Sequence, residues 1–129
     1  MGTPMAAGYN LAVREKAIDL VAEIYLLSKS FPDDERYGIT SQLRRAMVSV
    51  PLNISEGRGR LHEREFLHHL SIARGSLAEV ETLFDIVQRL EYTSAATLAP
   101  LRDSLNEVAR MLTGLIRSVS PDQGPLHGR

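Results

Sequence analysis

Phe66, Leu70, Ala73, Leu77, Val80, Phe84 and Val87 recur at alternating steps of four and three residues. A mean step of 3.5 keeps these side chains on one face of an α-helix, whereas a strand would scatter them over both of its faces. The segment from about Leu61 or His62 to Leu90 therefore reads as a long amphipathic helix. Its apolar stripe has to be hidden against other helices.

Three further stretches repeat the pattern. Val13, Ala17, Leu20, Ile24, Leu27 and Phe31 mark a first helix from about Leu11 to Ser30, with Arg14, Glu15, Asp19 and Glu23 taking much of the remaining surface. Phe31-Pro32-Asp33-Asp34 ends it, because Pro disfavours helix at the residue before it. A second helix opens near Gly38 on Ile39, Leu43, Ala46, Met47, Val50 and Ile54. Pro51 inside it removes a backbone donor and crowds the Met47 carbonyl, which predicts a kink. Gly57 is expected to close this helix in the left-handed conformation. The fourth pattern is Leu98, Leu101, Leu105, Val108, Leu112, Leu115 and Val119. Thr93 or Ser94 is its natural N-cap. Pro100 leaves two readings of its start, a bent first turn or a regular helix that begins near Ala99 with Pro100 at its first position. Gly75 within the third helix weakens local helicity by about 1 kcal/mol, and a close approach between helices is its expected use.

Four amphipathic helices joined by short turns hide all four stripes in an antiparallel up-down-up-down bundle. The fold class expected is all-α, with helix two kinked at Pro51. Residues 9–119 form the bundle, and residues 1–8 and 120–129 read as flexible tails rich in Gly, Pro and polar residues. With 129 residues, one domain with a real core is expected. Having no cysteine, the chain has no disulfide, thiolate ligand or cysteine nucleophile. Residues 1–10 lack the basic and apolar regions of a signal peptide, and no apolar run approaches the roughly 18 residues of a membrane span. A cytoplasmic location is expected.

The text of helices two and three resembles a known family. Tyr37-Gly38-Ile39-Thr40-Ser41-Gln42-Leu43-Arg44-Arg45-Ala46, followed by Val50-Pro51-Leu52-Asn53-Ile54-Ser55-Glu56-Gly57, is similar to the signature of bacterial four-helix-bundle proteins encoded by intervening sequences within large-subunit ribosomal RNA genes. Phe66-Leu67, Leu70-Ser71-Ile72-Ala73, Gly75-Ser76-Leu77 and Arg110-Met111-Leu112 fit the same pattern. The resemblance implies a four-helix bundle, often a homopentamer, with no assigned enzymatic activity. A distant relative, the accessory variability determinant of diversity-generating retroelements, is strongly basic and associates with nucleic acid; this chain has a formal net charge of −1. His62 stands where a Ser or Thr is expected to cap helix three, with Glu65 as its capping-box partner.

Little in the chain reads as chemistry. Glu65 and His68 have the i, i+3 spacing of di-iron bundles, but no second Glu-x-x-His follows, so neither metal nor cofactor is expected. No serine sits in a Gly-x-Ser-x-Gly elbow, and no Lys-Ser or Lys-Thr follows the glycines at 57 and 59. The expectation is a non-enzymatic protein with no small-molecule substrate and no membrane contact, whose partner is itself. Val48 and Leu52 point nearly opposite the core stripe of helix two, beside Pro51. A second apolar stripe of this kind marks Val48, Pro51 and Leu52 as a candidate oligomer interface. The alternative reading is a nucleic-acid-binding accessory protein. Of 15 basic residues 13 are Arg, and Arg44, Arg45, Arg58 and Arg60 are its candidate phosphate contacts, set on an Arg-rich rim.

Overall fold

The structure is a computed structural model that describes residues 4–119, with side chains from Ala12 onward. Four helices make up the bundle: α1 (Pro4–Ser28), α2 (Ile39–Arg58), α3 (Glu63–Arg89) and α4 (Ala95–Val119). A single 3₁₀ turn at Asp33–Glu35 interrupts the connection between α1 and α2. Each helix packs only on its two neighbours, in the cycle α1, α2, α3, α4 and back to α1. The up-down-up-down arrangement expected from the four stripes is the one observed. No helix among the described residues is long and apolar enough to cross a membrane.

The apolar periods became the core. Val13, Ala17, Leu20 and Ile24 of α1 are buried with Leu43, Met47, Val50 and Ile54 of α2. Leu70 to Val87 of the α3 heptads and Leu98 to Val119 of α4 close the other half, around Phe84, the largest fully buried side chain. Each buried Val, Leu, Ile, Met or Phe among them contributes about 1.5–3 kcal/mol by leaving water.

The start of α1 differs from the sequence reading, and the start of α4 settles what that reading left open. Helix α1 begins at Pro4, within the stretch expected to be a tail. Pro is tolerated in a first helical turn, where its missing N–H has no partner to lose, and Ala6 and Ala7 extend the helix. Residues 1–3 and 120–129, the rest of the expected tails, lie outside the described residues. Helix α4 starts at Ala95, capped by Ser94, whose Oγ accepts from the Thr97 amide at 3.1 Å. Pro100 thus sits inside the helix, exposed, where water can reach the Ala96 carbonyl that loses its donor. Helix α2 stays helical on both sides of Pro51, whose ring is buried.

Neither glycine has the role expected of it. Gly57 does not close α2 in a left-handed conformation; no glycine described has positive φ. A Cβ placed on Gly57 would lie 2.8 Å from His69 Cβ and 2.9 Å from Phe66 Cδ1, so α2 and α3 approach closely at Gly57 and leave no room for a side chain. Gly75 has nothing within 4 Å of such a Cβ and faces open space. The left-handed position falls instead on Glu91, at φ 62°. There the Tyr92 amide bonds the Val87 carbonyl at 2.9 Å and the Glu91 amide bonds Gln88 at 3.0 Å, the Schellman closure of α3.

Candidate functional site

Helix α1 is apolar on two faces. Opposite its buried stripe, Ile18 is 38% exposed, Tyr25 41% and Leu26 68%, with exposed Ala22 between them. These positions follow i, i+4, i+7, i+8 spacing and so form a stripe of their own. Two hydrogen bonds fix how α1 lies against α2: Arg14 Nε donates to Ser55 Oγ at 2.9 Å, and Arg44 Nε donates to Ser28 Oγ at 2.8 Å. Stepping between those two points sets Ile18 level with Leu52, and Ala22 level with Val48. Leu52 is 61% exposed and Val48 half-buried. An apolar seam therefore runs along the outside of the α1–α2 pair. Of the interface candidates, Val48 and Leu52 belong to it; Pro51 is buried within the subunit. The α1 half went unread because Glu15, Asp19 and Glu23 dominate the helix's polar count, and only the packing shows which arc they occupy.

The arginine candidates separate. Arg44 turns inward: besides Ser28 it reaches the Tyr25 carbonyl at 3.4 Å and lies 4.5 Å from the Tyr25 ring centroid. A cation on the last carbonyls of α1 is favoured by the helix dipole, and Ser28 Oγ passes the link on to the Ile24 carbonyl at 2.7 Å. Arg60 pairs with Glu56 at 2.8 Å. Arg45 and Arg58 are exposed and make no ion pair among the described residues. Thirteen residues of helix, about 20 Å at 1.5 Å per residue, separate them. One subunit therefore presents no single basic rim.

Between α2 and α3 lies an open groove. One part of about 400 Å³ is lined by Tyr37, Ser41, Arg45 and Ser49 of the α2 side. A second, of about 320 Å³, runs along Gly75, Ala78, Thr82 and Ile86 of α3. Gln42 and Glu79 line both and make them continuous. A polar ladder lies at and below its floor: Ser49 Oγ bonds Ser76 Oγ at 2.9 Å, Asn53 Nδ2 donates to Ser49 Oγ at 3.1 Å, and His69 Nδ1 meets Asn53 Oδ1 at 3.0 Å.

The end of the bundle nearest Tyr37 holds a second polar cluster that the sequence did not announce. Gly38 is the N-cap of α2 and has no side chain to offer, so Glu35 Oε1 accepts the Ile39 amide at 3.1 Å in its place. Glu35 Oε2 accepts the Tyr92 hydroxyl at 2.8 Å. The Ile39 amide, and then the Tyr92 hydroxyl, hold the Glu35 carboxyl below its ordinary pKa. The Glu35 hydrogen bond, with burial, pushes Tyr92 up. At the other end, His62 occupies the N-cap of α3 with extended backbone but makes no capping bond through its side chain. Among the described residues no three His, Cys, Asp or Glu side chains gather where they could hold a metal ion.

These features define an all-α four-helix bundle whose surface offers a seam and a groove. The model of the 23S rRNA-intervening sequence protein family matches residues 9–114, and the chain belongs to that family. Among solved structures it is similar to a protein of unknown function from the S23 ribosomal protein family of Bacteroides thetaiotaomicron, with a TM-score of 0.77 and 20% identity over 84% of this chain and 98% of that one. That likeness concerns the fold. No curated protein matches the chain.

Proposed function

We propose that this protein is a non-enzymatic, self-assembling helical scaffold whose first partner is another copy of itself. The observation that carries this reading is the outer seam of Ile18, Ala22, Tyr25 and Leu26 on α1 with Val48 and Leu52 on α2. A monomeric bundle gains nothing from a helix that is apolar on both faces, and contiguous exposed apolar surface of this kind is a mark of association. The family resemblance supports a pentamer as the assembled form. Light scattering on the purified chain tests the reading: several copies are expected, and Leu52→Glu should return the monomer mass while leaving the helical circular dichroism unchanged. A wild-type monomer at micromolar concentration sinks it.

A second reading, contact with RNA, is supported by the guanidiniums of Arg45 and Arg58, which make no ion pair among the described residues and which an oligomer would repeat around its symmetry axis. Glu56 neutralises Arg60, and Arg44 is spent on α1, so the field per copy is small. Binding to structured RNA is expected to be weak at about 0.15 M salt. A tight complex under those conditions, lost in the Arg58→Ala, Arg60→Ala double variant, would put this reading first.

A further inference from the structure

Gly75 sits in the middle of the 27-residue helix α3, where glycine costs about 1 kcal/mol relative to alanine. Nothing inside the subunit needs it: a Cβ there meets no atom within 4 Å. A missing side chain that the chain's own packing does not use makes room for something outside the chain. Gly75 lines the α2–α3 groove together with Ala78 and, farther in, Ser49 and Ser76, all small. The same subunit carries the exposed apolar seam on the adjoining α1–α2 face. Building on the self-assembly proposed above, we infer that the seam of one copy docks in the groove of the next, so that assembly is head-to-tail and closes a ring.

Three observations support this pairing. The first is height. The Ser49–Ser76 hydrogen bond sets the groove's Ser76 level with the part of α2 that lies beside Ala22 and Tyr25. Seam and groove therefore overlap along the bundle axis, and successive copies join without climbing into a filament. The second is angle. Adjoining faces of a four-helix bundle meet at about a right angle. Copies joined through faces so inclined turn by about 90° at each step, and a turn of that size closes a small ring of about four subunits rather than an open filament. A seam meeting a second seam would instead give a two-fold dimer and leave the groove and Gly75 unused. The third is charge. Arg45 and Glu79 line the groove, and Asp19, Glu23 and Lys29 flank the seam; none of the five makes an ion pair among the described residues. Each surface can offer the other its counter-ion.

The experiment is a mixing test by sedimentation equilibrium with two variants, Leu52→Glu to disable the seam and Gly75→Arg to block the groove. The second change falls on an exposed helical position with open space, and circular dichroism checks that both variants fold. Each variant alone is expected to fall from the ring mass to the monomer mass. Mixed in equal amounts, they are expected to form dimers, because the intact seam of the Gly75→Arg chain can enter the intact groove of the Leu52→Glu chain. Gly75→Arg assembling like the wild type, or a mixture that stays monomeric up to its solubility limit, overturns the pairing while leaving self-assembly standing. A wild-type monomer removes both.

Discussion

The Tyr92 hydroxyl donates a 2.8 Å hydrogen bond to Glu35 Oε2, joining the loop before α4 to the turn before α2. The other Glu35 oxygen caps α2, so one carboxylate serves two connections at the same end of the bundle. Tyr92 is also packed against Phe31, with ring centroids 5.8 Å apart.

This cluster gives the protein a pH signature on both sides. The folded pKa of Glu35 lies below its ordinary 4.5, so its stabilisation is present above that value and is lost as pH falls through the folded pKa. Tyr92 is raised above its ordinary 10.0, so its share is present below that value and is lost as pH rises through the folded pKa. Urea midpoints across the pH range are expected to fall at both extremes. Tyr92→Phe should remove the alkaline component and reduce the acid one, and Glu35→Gln should flatten the acid limb further. An acid limb identical in wild type and Glu35→Gln would assign it to other carboxylates.

Glu91 holds a conformation that suits glycine, and the Schellman closure it forms aims Tyr92 at Glu35. Left-handed backbone costs a residue with a Cβ about 1 kcal/mol. Glu91→Gly is expected to stabilise the fold by about that amount, read as a higher urea midpoint with unchanged slope.

Gly57 and Gly75 should respond oppositely to alanine. At Gly57 the new methyl would meet His69, Phe66 and the Phe66 carbonyl, the last at 3.2 Å, and part of that wall is backbone and cannot yield. Gly57→Ala is expected to cost about 1–3 kcal/mol despite the better helix former. Gly75→Ala should gain about 1 kcal/mol. Denaturation of both in a Leu52→Glu background keeps assembly out of the comparison.

His62→Ser supplies the α3 N-cap with a hydroxyl that can accept the Glu65 amide. The His62 backbone is already extended, at φ −112° and ψ 139°. A gain of about 0.5–1 kcal/mol is expected. An unchanged thermal midpoint would mean that the His62 carbonyl, which already accepts the Glu65 amide at 3.1 Å, leaves that donor little to gain.

The core was legible because its signal is periodic: every heptad position of α4 from Leu98 to Val119 is buried as its spacing required. The role of each glycine was not, because Gly57 and Gly75 differ only in what stands across from them in space. Arg44 and Arg45 are neighbours in the chain and opposites in the fold, one stacked on Tyr25 and the other beside a groove. The seam was half legible. Val48 and Leu52 stand out against a polar helix, whereas Ile18, Tyr25 and Leu26 share theirs with Glu15, Asp19 and Glu23, and spacing alone does not show which arc faces outward.

Three of the four helix seams join elements consecutive in the chain, and only α1 against α4, tied by Lys16 and Glu107 at 3.0 Å, joins the first to the last. Closing that seam draws together the widest separation along the chain, so its loop entropy is the largest to overcome. The α2–α3 hairpin, with its four-residue link and its ladder from Ser76 to His69, needs far less. The order of events in folding follows: substitutions at Ser49 or Asn53 should mainly slow folding, whereas loss of the Lys16–Glu107 contact should mainly hasten unfolding.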